Sequence, residues 1–154
     1  MNVAIRRMTL EDVPTVHEID TISFSLPWAE RSFRFELTEN PVSRSWVAES
    51  GGRIAAMLVL WLIIDEAHIA TIATHPDFRR QGIGEQLMIA ALLSARAEGA
   101  AHAFLEVRAG NAGALSLYKK YGFVVAGGRP RYYKDNNEDA ILMNLDDLNG
   151  LEAS

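Results

Sequence analysis

The hexapeptide Arg79-Arg80-Gln81-Gly82-Ile83-Gly84 stands between a β-branched apolar run and an amphipathic stretch. That position suits capture of an anion. The first backbone N–H groups of a helix have no partners within it, and the helix dipole adds positive potential there. Glycine lets a phosphate approach the backbone with no Cβ in the way, and the two arginines add charge. The chemistry offered is pyrophosphate binding. The segment is neither a Walker loop, for want of Gly-Lys-Ser/Thr, nor a full dinucleotide fingerprint, for want of a third glycine. Taken alone, it reads equally well as a solvated turn that caps a helix.

Two further side chains could move protons. Glu106 lies between Leu105 and Val107, and Tyr118 closes the run Asn111-Ala112-Gly113-Ala114-Leu115-Ser116-Leu117 ahead of Gly122-Phe123. Each has an ordinary reading by itself. A lone glutamate in a strand usually faces solvent, and a tyrosine at helical spacing from Ala114, Leu115 and Tyr121 usually packs. Trp28, Tyr132 and Tyr133 read alone as a packing anchor and a half-buried strand end. His17, His68 and His102 lack the spacing of metal ligands, so no metal is expected.

These residues need elements to hold them. Val3–Met8 reads as a strand. Thr9 or Asp12 can cap a helix on which Leu10, Val13, Val16, Ile19 and Ile22 recur, with Pro14 tolerated in the first turn. After the Leu26-Pro27-Trp28 turn comes a short helix over 29–38, ended by Asn40-Pro41. Ser45–Glu49 and Arg53–Asp65 flank Gly51-Gly52 as a hairpin, followed by a strand over His68–Thr74. Residues 75–84 form a loop, and Glu85–Glu98 a helix closed by Gly99. A strand Ala103–Arg108, a helix Ala112–Tyr121 and strands Phe123–Ala126 and Ala140–Leu145 complete the chain. The order implies an α/β (α+β) fold, a mixed sheet with helices on both faces. Trp46 and Trp61 read as core.

Length and composition agree. The chain's 154 residues suit a single domain, 1–154. With 15 Lys and Arg against 20 Asp and Glu, the net charge is −5, so a broad basic surface for nucleic acid is not expected. The basic residues Lys119, Lys120, Arg129, Arg131 and Lys134 read as a solvated face. There is no cysteine, which removes disulfides and a cysteine-linked acyl-enzyme and fits a reducing cytoplasm. Acidic Glu11 and Asp12 fall where a signal peptide would be apolar, and the apolar run Ile54–Ile64 is too short to span a bilayer.

Arg-x-x-Gly-x-Gly at 79–84, followed by Asn-x-x-Ala-x-x-Leu-Tyr-x-x-x-Gly-Phe at 111–123, resembles the GNAT acetyltransferases. Within that superfamily, Ser25-Leu26-Pro27-Trp28, Leu105 through Asn111, and Tyr132-Tyr133 with Glu138-Asp139-Ala140 resemble the RimI-type ribosomal-protein-alanine N-acetyltransferases. Archaeal N-terminal acetyltransferases share much of the pattern. The resemblance implies a mostly antiparallel central sheet and transfer of an acetyl group from acetyl-coenzyme A to an amine. The acceptor would be a protein N-terminus, in particular a ribosomal-protein alanine. The alternatives are a small amine, a lysine side chain, or a non-catalytic acyl-coenzyme A-binding module.

The resemblance also implies roles. Ile72, Ala73 and Thr74 would contact the acetyl group and pantetheine arm through their backbone. Arg79, Arg80, Gln81, Gly82, Ile83, Gly84 and Glu85 would hold the pyrophosphate, and Asn111 would meet the coenzyme further along. Glu106 would be the general base and Tyr118 the general acid. Trp28, Tyr132 and Tyr133 would line the acceptor entrance. The family more often has Val at position 74 and Asp at 75. Backbone contacts survive the first change, and His75 is assigned no role. The apolar neighbours of Glu106 predict its burial, which would strengthen it as a base.

Overall fold

The computed structural model describes residues 3–151. In chain order its elements are β1 (Val3–Arg7), α1 (Val13–Ser23), α2 (Glu30–Thr38), β2 (Ser43–Ser50), β3 (Arg53–Ile63), β4 (Glu66–Thr74), α3 (Ile83–Ala97), β5 (His102–Arg108), α4 (Ala112–Lys120), β6 (Val124–Tyr133) and β7 (Glu138–Leu145), with short 3-10 turns between some of them. The strands form one sheet in the order β1-β2-β3-β4-β5-β7-β6. All pairs are antiparallel except β4–β5. A parallel pair needs a crossover, and α3 supplies it. The β2–β3 hairpin turns on Gly51 and Gly52, at φ +59° and +79°, the signs that a tight two-residue turn demands.

Both faces of the sheet are covered. On one, Val16 and Ile19 of α1 and Phe33 of α2 pack on Val47, Met57 and Val59. On the other, Leu87, Met88 and Leu92 of α3 pack on Leu58, Leu60, Ala67 and Leu105. The alternation of β-strand side chains sends neighbouring residues of β3 to opposite cores, which is why the strand reads as one unbroken apolar run. The expected mixed, mostly antiparallel sheet with helices on both faces is therefore observed.

Among the boundaries that differ from expectation, two bear on the site and its surroundings. The α3 helix begins at Ile83, because Gly82 already sits at φ +75° and can serve as its N-cap. The β6 strand does not end near residue 126 but runs to Tyr133. As the edge strand it tolerates Pro130, whose missing N–H costs no ladder bond there.

The feature that makes room for chemistry is a split in the sheet. The β4 and β5 strands pair only from Glu66↔His102 to His68↔Phe104. Just beyond, the β3–β4 register passes from Leu60↔Ile69 to Val59↔Thr71, leaving Ala70 as an extra residue in β4. A bulge bends its strand and increases its twist. The two strands then diverge, and the β5-facing backbone of β4 is left without a strand partner beyond the bulge.

Candidate active site

The divergence opens a cleft of ≈ 260 Å³ walled by Ile69–Ile72 of β4 and Leu105–Arg108 of β5. Asp20 of α1, Trp28 of the α1–α2 loop, and Asn111 and Tyr118 at α4 close its sides. A second hollow, ≈ 710 Å³, lies beyond it and shares Trp28, Glu106 and Tyr133 with it. Trp61, His68, Phe104 and Tyr132 line the second hollow and not the first. Glu106 thus stands where the two spaces meet.

Glu106 is not buried as expected. Its side chain is 35% exposed, and Arg129 Nε lies 3.6 Å from its Oε1. The cause is strand alternation: Leu105 and Val107 point into the core beneath α3, so Glu106 must point to the opposite face. Among the described residues, no helix lies over that part of the sheet, and the carboxylate opens on the cleft instead.

Tyr118 faces the cleft from α4 and is otherwise enclosed, its ring 5.8 Å from that of Phe123. Burial pushes its phenol up to about 12, so it is protonated throughout the neutral range. Asn111 caps α4, its Oδ1 accepting from the Ala114 N–H at 3.1 Å. The same residue forms part of the cleft wall.

The α3 N-terminus has the geometry of an anion site. Arg80 and Gly82 both take positive φ, +63° and +75°, which turns the backbone sharply into the helix. Ile83 is buried and anchors the turn, leaving the first N–H groups of α3 without intrahelical acceptors. Gly84 is required by close approach: a Cβ there would lie 2.8 Å from Thr74 Oγ1. The loop is thereby pressed against the end of β4. Arg79 braces it, donating from Nε to the Thr74 carbonyl at 3.1 Å and from Nη2 to Ser23 Oγ at 3.4 Å. Arg80 and Gln81 are exposed. The Glu85 side chain is engaged by the Tyr121 hydroxyl and by Lys120 Nζ, so its charge is partly neutralised. Hydrogen bonds from Tyr121 and then Lys120 hold its carboxyl below the usual range. Of the three strand residues, Ile72 lines the cleft and Ala73 is buried toward α1.

Trp28, Tyr132 and Tyr133 come together around the second hollow. Trp28 is fixed by its ring against Phe33, 5.1 Å away, and by its N–H, which donates to Asp20 Oδ2 at 2.7 Å. The Arg108 guanidinium lies 4.0 Å over Tyr133 and is bonded to Asp135, so the hairpin end that carries both tyrosines is pinned to β5. Trp61 is only part core. It lines the second hollow, with its indole N–H on buried Glu36. The basic residues do not form one patch: Lys120 pairs with Glu85 and Arg129 approaches Glu106.

Three residues of the site escaped the sequence reading: Asp20, Trp61 and Arg129. Only Asp20 left a signal there, as a carboxylate next to Val16 and Ile19 on an apolar helical stripe.

Residues 13–123 match the Acetyltransferase (GNAT) family. The chain belongs to this family. The GNAT chain is 42% identical over 140 residues to a putative [ribosomal protein bS18]-alanine N-acetyltransferase of Bacillus subtilis (strain 168), covering 91% of this chain and 93% of the relative. It is 34% identical over 152 residues to the [ribosomal protein bS18]-alanine N-acetyltransferase of Escherichia coli (strain K12), covering 92% and 95% of the two chains. The crystal structure of the ribosomal-protein-S18-alanine N-acetyltransferase from Escherichia coli superposes with a TM-score of 0.86 at 34% identity, covering 94% of this chain and 93% of that one. This GNAT protein is accordingly an N-acetyltransferase. Among the described residues, no helix is long and apolar enough to cross a membrane.

Proposed function

We propose that this GNAT enzyme transfers the acetyl group of acetyl-coenzyme A to the α-amino group of a protein N-terminus, with a ribosomal-protein alanine as its natural acceptor. The observation that carries the reading is the position of Glu106, in the wall of both spaces. One offers what a thioester needs, a β4 edge free of strand pairing, and at the C-terminal end of β4, where Gly84 closes on Thr74, the first N–H groups of α3 are available to phosphates. The other is walled by Trp28, Trp61 and Tyr132, as a peptide end requires. The relatives named for bS18 alanine support that acceptor.

Acetyl-coenzyme A supplies an activated acyl group as its thioester. Backbone N–H groups on the free edge of β4 can polarise the carbonyl oxygen. An α-ammonium has a pKa of about 8, so most acceptor molecules must lose a proton before the nitrogen can attack. Glu106 takes that proton, directly or through a water. The new N–C bond forms as the C–S bond breaks, and the sulfur leaves with the bonding pair. Tyr118 donates its proton to that sulfur, and the second proton of the acylated nitrogen returns to the phenolate through solvent, leaving a neutral amide and a neutral tyrosine. Burial keeps the phenol protonated until then, and the same desolvation makes a nascent thiolate more basic, which favours the transfer. With no cysteine in the chain, no thioester with the enzyme forms on the way.

The test is thiol release from acetyl-coenzyme A with three acceptors: a peptide beginning with alanine, the same peptide blocked at its N-terminus with an internal lysine, and a polyamine. Reaction with the free alanine terminus alone is expected. Reaction with either of the others instead would replace the acceptor, and reaction with none, while the coenzyme still binds, would replace the catalytic reading by a binding one.

A further inference from the structure

Asp20 is the most unusual charged residue in the described chain. It lies in the last turn of α1 and is 1% exposed. One carboxylate oxygen, Oδ2, accepts from the Trp28 N–H at 2.7 Å. The other, Oδ1, is buried with no hydrogen-bond partner among the described residues. A buried carboxylate oxygen without a donor is costly and calls for an explanation. Holding the α1–α2 loop does not supply one, since a neutral amide oxygen would accept from Trp28 equally well. The residue forms part of the wall of the cleft that Glu106 and Tyr118 also line.

We infer that Asp20, on the wall of the first cleft where the amine must meet the thioester beside Glu106, is a second carboxylate serving the acceptor, whose Oδ1 takes a hydrogen bond from the incoming ammonium while Oδ2 keeps Trp28 in place. This rests on the acceptor reading above. An amine that arrives protonated brings both a positive charge and donors, and Oδ1 of Asp20 has no donor among the described residues. Glu106 can then take the proton from a nitrogen that is already held. Burial raises the Asp20 carboxyl, with the Trp28 N–H and then His17 opposing it, and an ammonium alongside would favour its ionised form. Across the cleft the titratable and charged groups are Glu106, Arg108, Tyr118 and Tyr133, while β4 and α2 bring none to it.

The decisive variant is Asp20→Asn, which keeps an oxygen for the Trp28 N–H and removes the charge. At neutral pH the KM for an alanine-terminated peptide should rise about tenfold or more, the size of a lost charge-assisted hydrogen bond. Acetyl-coenzyme A affinity should stay within about twofold. The rise should shrink at a pH well above the acceptor's pKa of about 8, where the amine enters neutral and needs no counter-charge. The melting temperature should hold or increase, because an unpaired buried charge has gone. A purely structural Asp20 would give a rise that is independent of pH, together with a lower melting temperature, and would overturn the proposal. An unchanged acceptor KM would overturn it too. Weakened acetyl-coenzyme A binding would mean that the missing donor is a pantetheine amide, which also overturns it. Asp20→Ala, which releases Trp28 as well, should be worse than Asp20→Asn at every pH, and equality of the two would contradict the separate duties of the oxygens. If the wild-type enzyme acetylates no amino-terminal peptide, the parent reading fails. If it does, and Asp20→Asn leaves KM unmoved, only the present inference fails.

Discussion

The opposite duties proposed for Glu106 and Tyr118 match the difference in their surroundings. The tyrosine is enclosed and its phenol sits at about 12. The glutamate is one-third exposed on a bare sheet face. Tyr118→Phe removes one hydroxyl and leaves the ring packed on Phe123. We expect kcat to fall by about 10²-fold or more with acetyl-coenzyme A affinity kept, since the phenol acts only as sulfur departs. Single-turnover kinetics beside a titration of coenzyme binding checks this, and equal activity would remove the acid role. Glu106→Gln cannot accept the amine's proton. The variant's rate should follow the fraction of neutral amine, rising with pH up to the acceptor's pKa of about 8, and should be lower than the wild type by about 10²-fold at pH 7. An unchanged pH profile would place deprotonation elsewhere. Both positions could be found in the sequence through the motif that contains them, but the exposure of Glu106 could not. Apolar neighbours in a strand mean burial for themselves and say nothing of the residue between them, which faces the other way.

The proposed phosphate site belongs to an element, the turn into α3. A Cβ at Gly82 would meet nothing within 4 Å, so only the backbone conformation demands glycine there. Gly82→Val should therefore cost about 1–2 kcal/mol of stability through strain at positive φ. It should also weaken acetyl-coenzyme A binding at least tenfold by placing a branched side chain beside the phosphates. Calorimetry on a variant shown by circular dichroism to be folded separates the two effects, and unaltered affinity would sink the assignment. The turn was legible because its glycines, arginines and flanking periodicities are local. The length of β6 was not: Pro130 and the residues after it read as a loop, and only the edge position of the strand makes them compatible with pairing.

At the scale of the whole molecule, the start of α1 is tied to the sheet by charge. Arg6 of β1 donates to both carboxylate oxygens of Asp12, at 2.7 and 2.8 Å, and also to Glu49 of β2 at 2.7 Å. The hydrogen bonds from Arg6 hold the Asp12 carboxyl below its usual range against the opposing effect of burial. A depressed folded-state pKa contributes stability above the unfolded value, near 3.9, and the contribution is lost as pH falls through the folded value. Asp12→Asn should thus be less stable than the wild type at pH 7, by about 1–3 kcal/mol. The gap should narrow below about pH 4 as the wild-type carboxyl takes up its proton. Denaturant titrations at the two pH values test this, and a gap that is constant across them would mean the ion pair contributes nothing.

Local order and family membership were set by the sequence: helix and strand alternation, the Gly-Gly hairpin, the glycine-containing turn into α3 and the two motif blocks all depend on residues close together in the chain. Tertiary structure alone decided the rest. The split between β4 and β5 follows from a bulge at Ala70 that no local signal marks. The meeting of Asp20, Glu106 and Tyr118 at one cleft follows from that split. These three residues come from α1, β5 and α4, far apart in the chain, and which of them is solvated depends on which half of a sheet face the helices leave uncovered. Periodicity reports which face of an element is apolar, but not what lies opposite it.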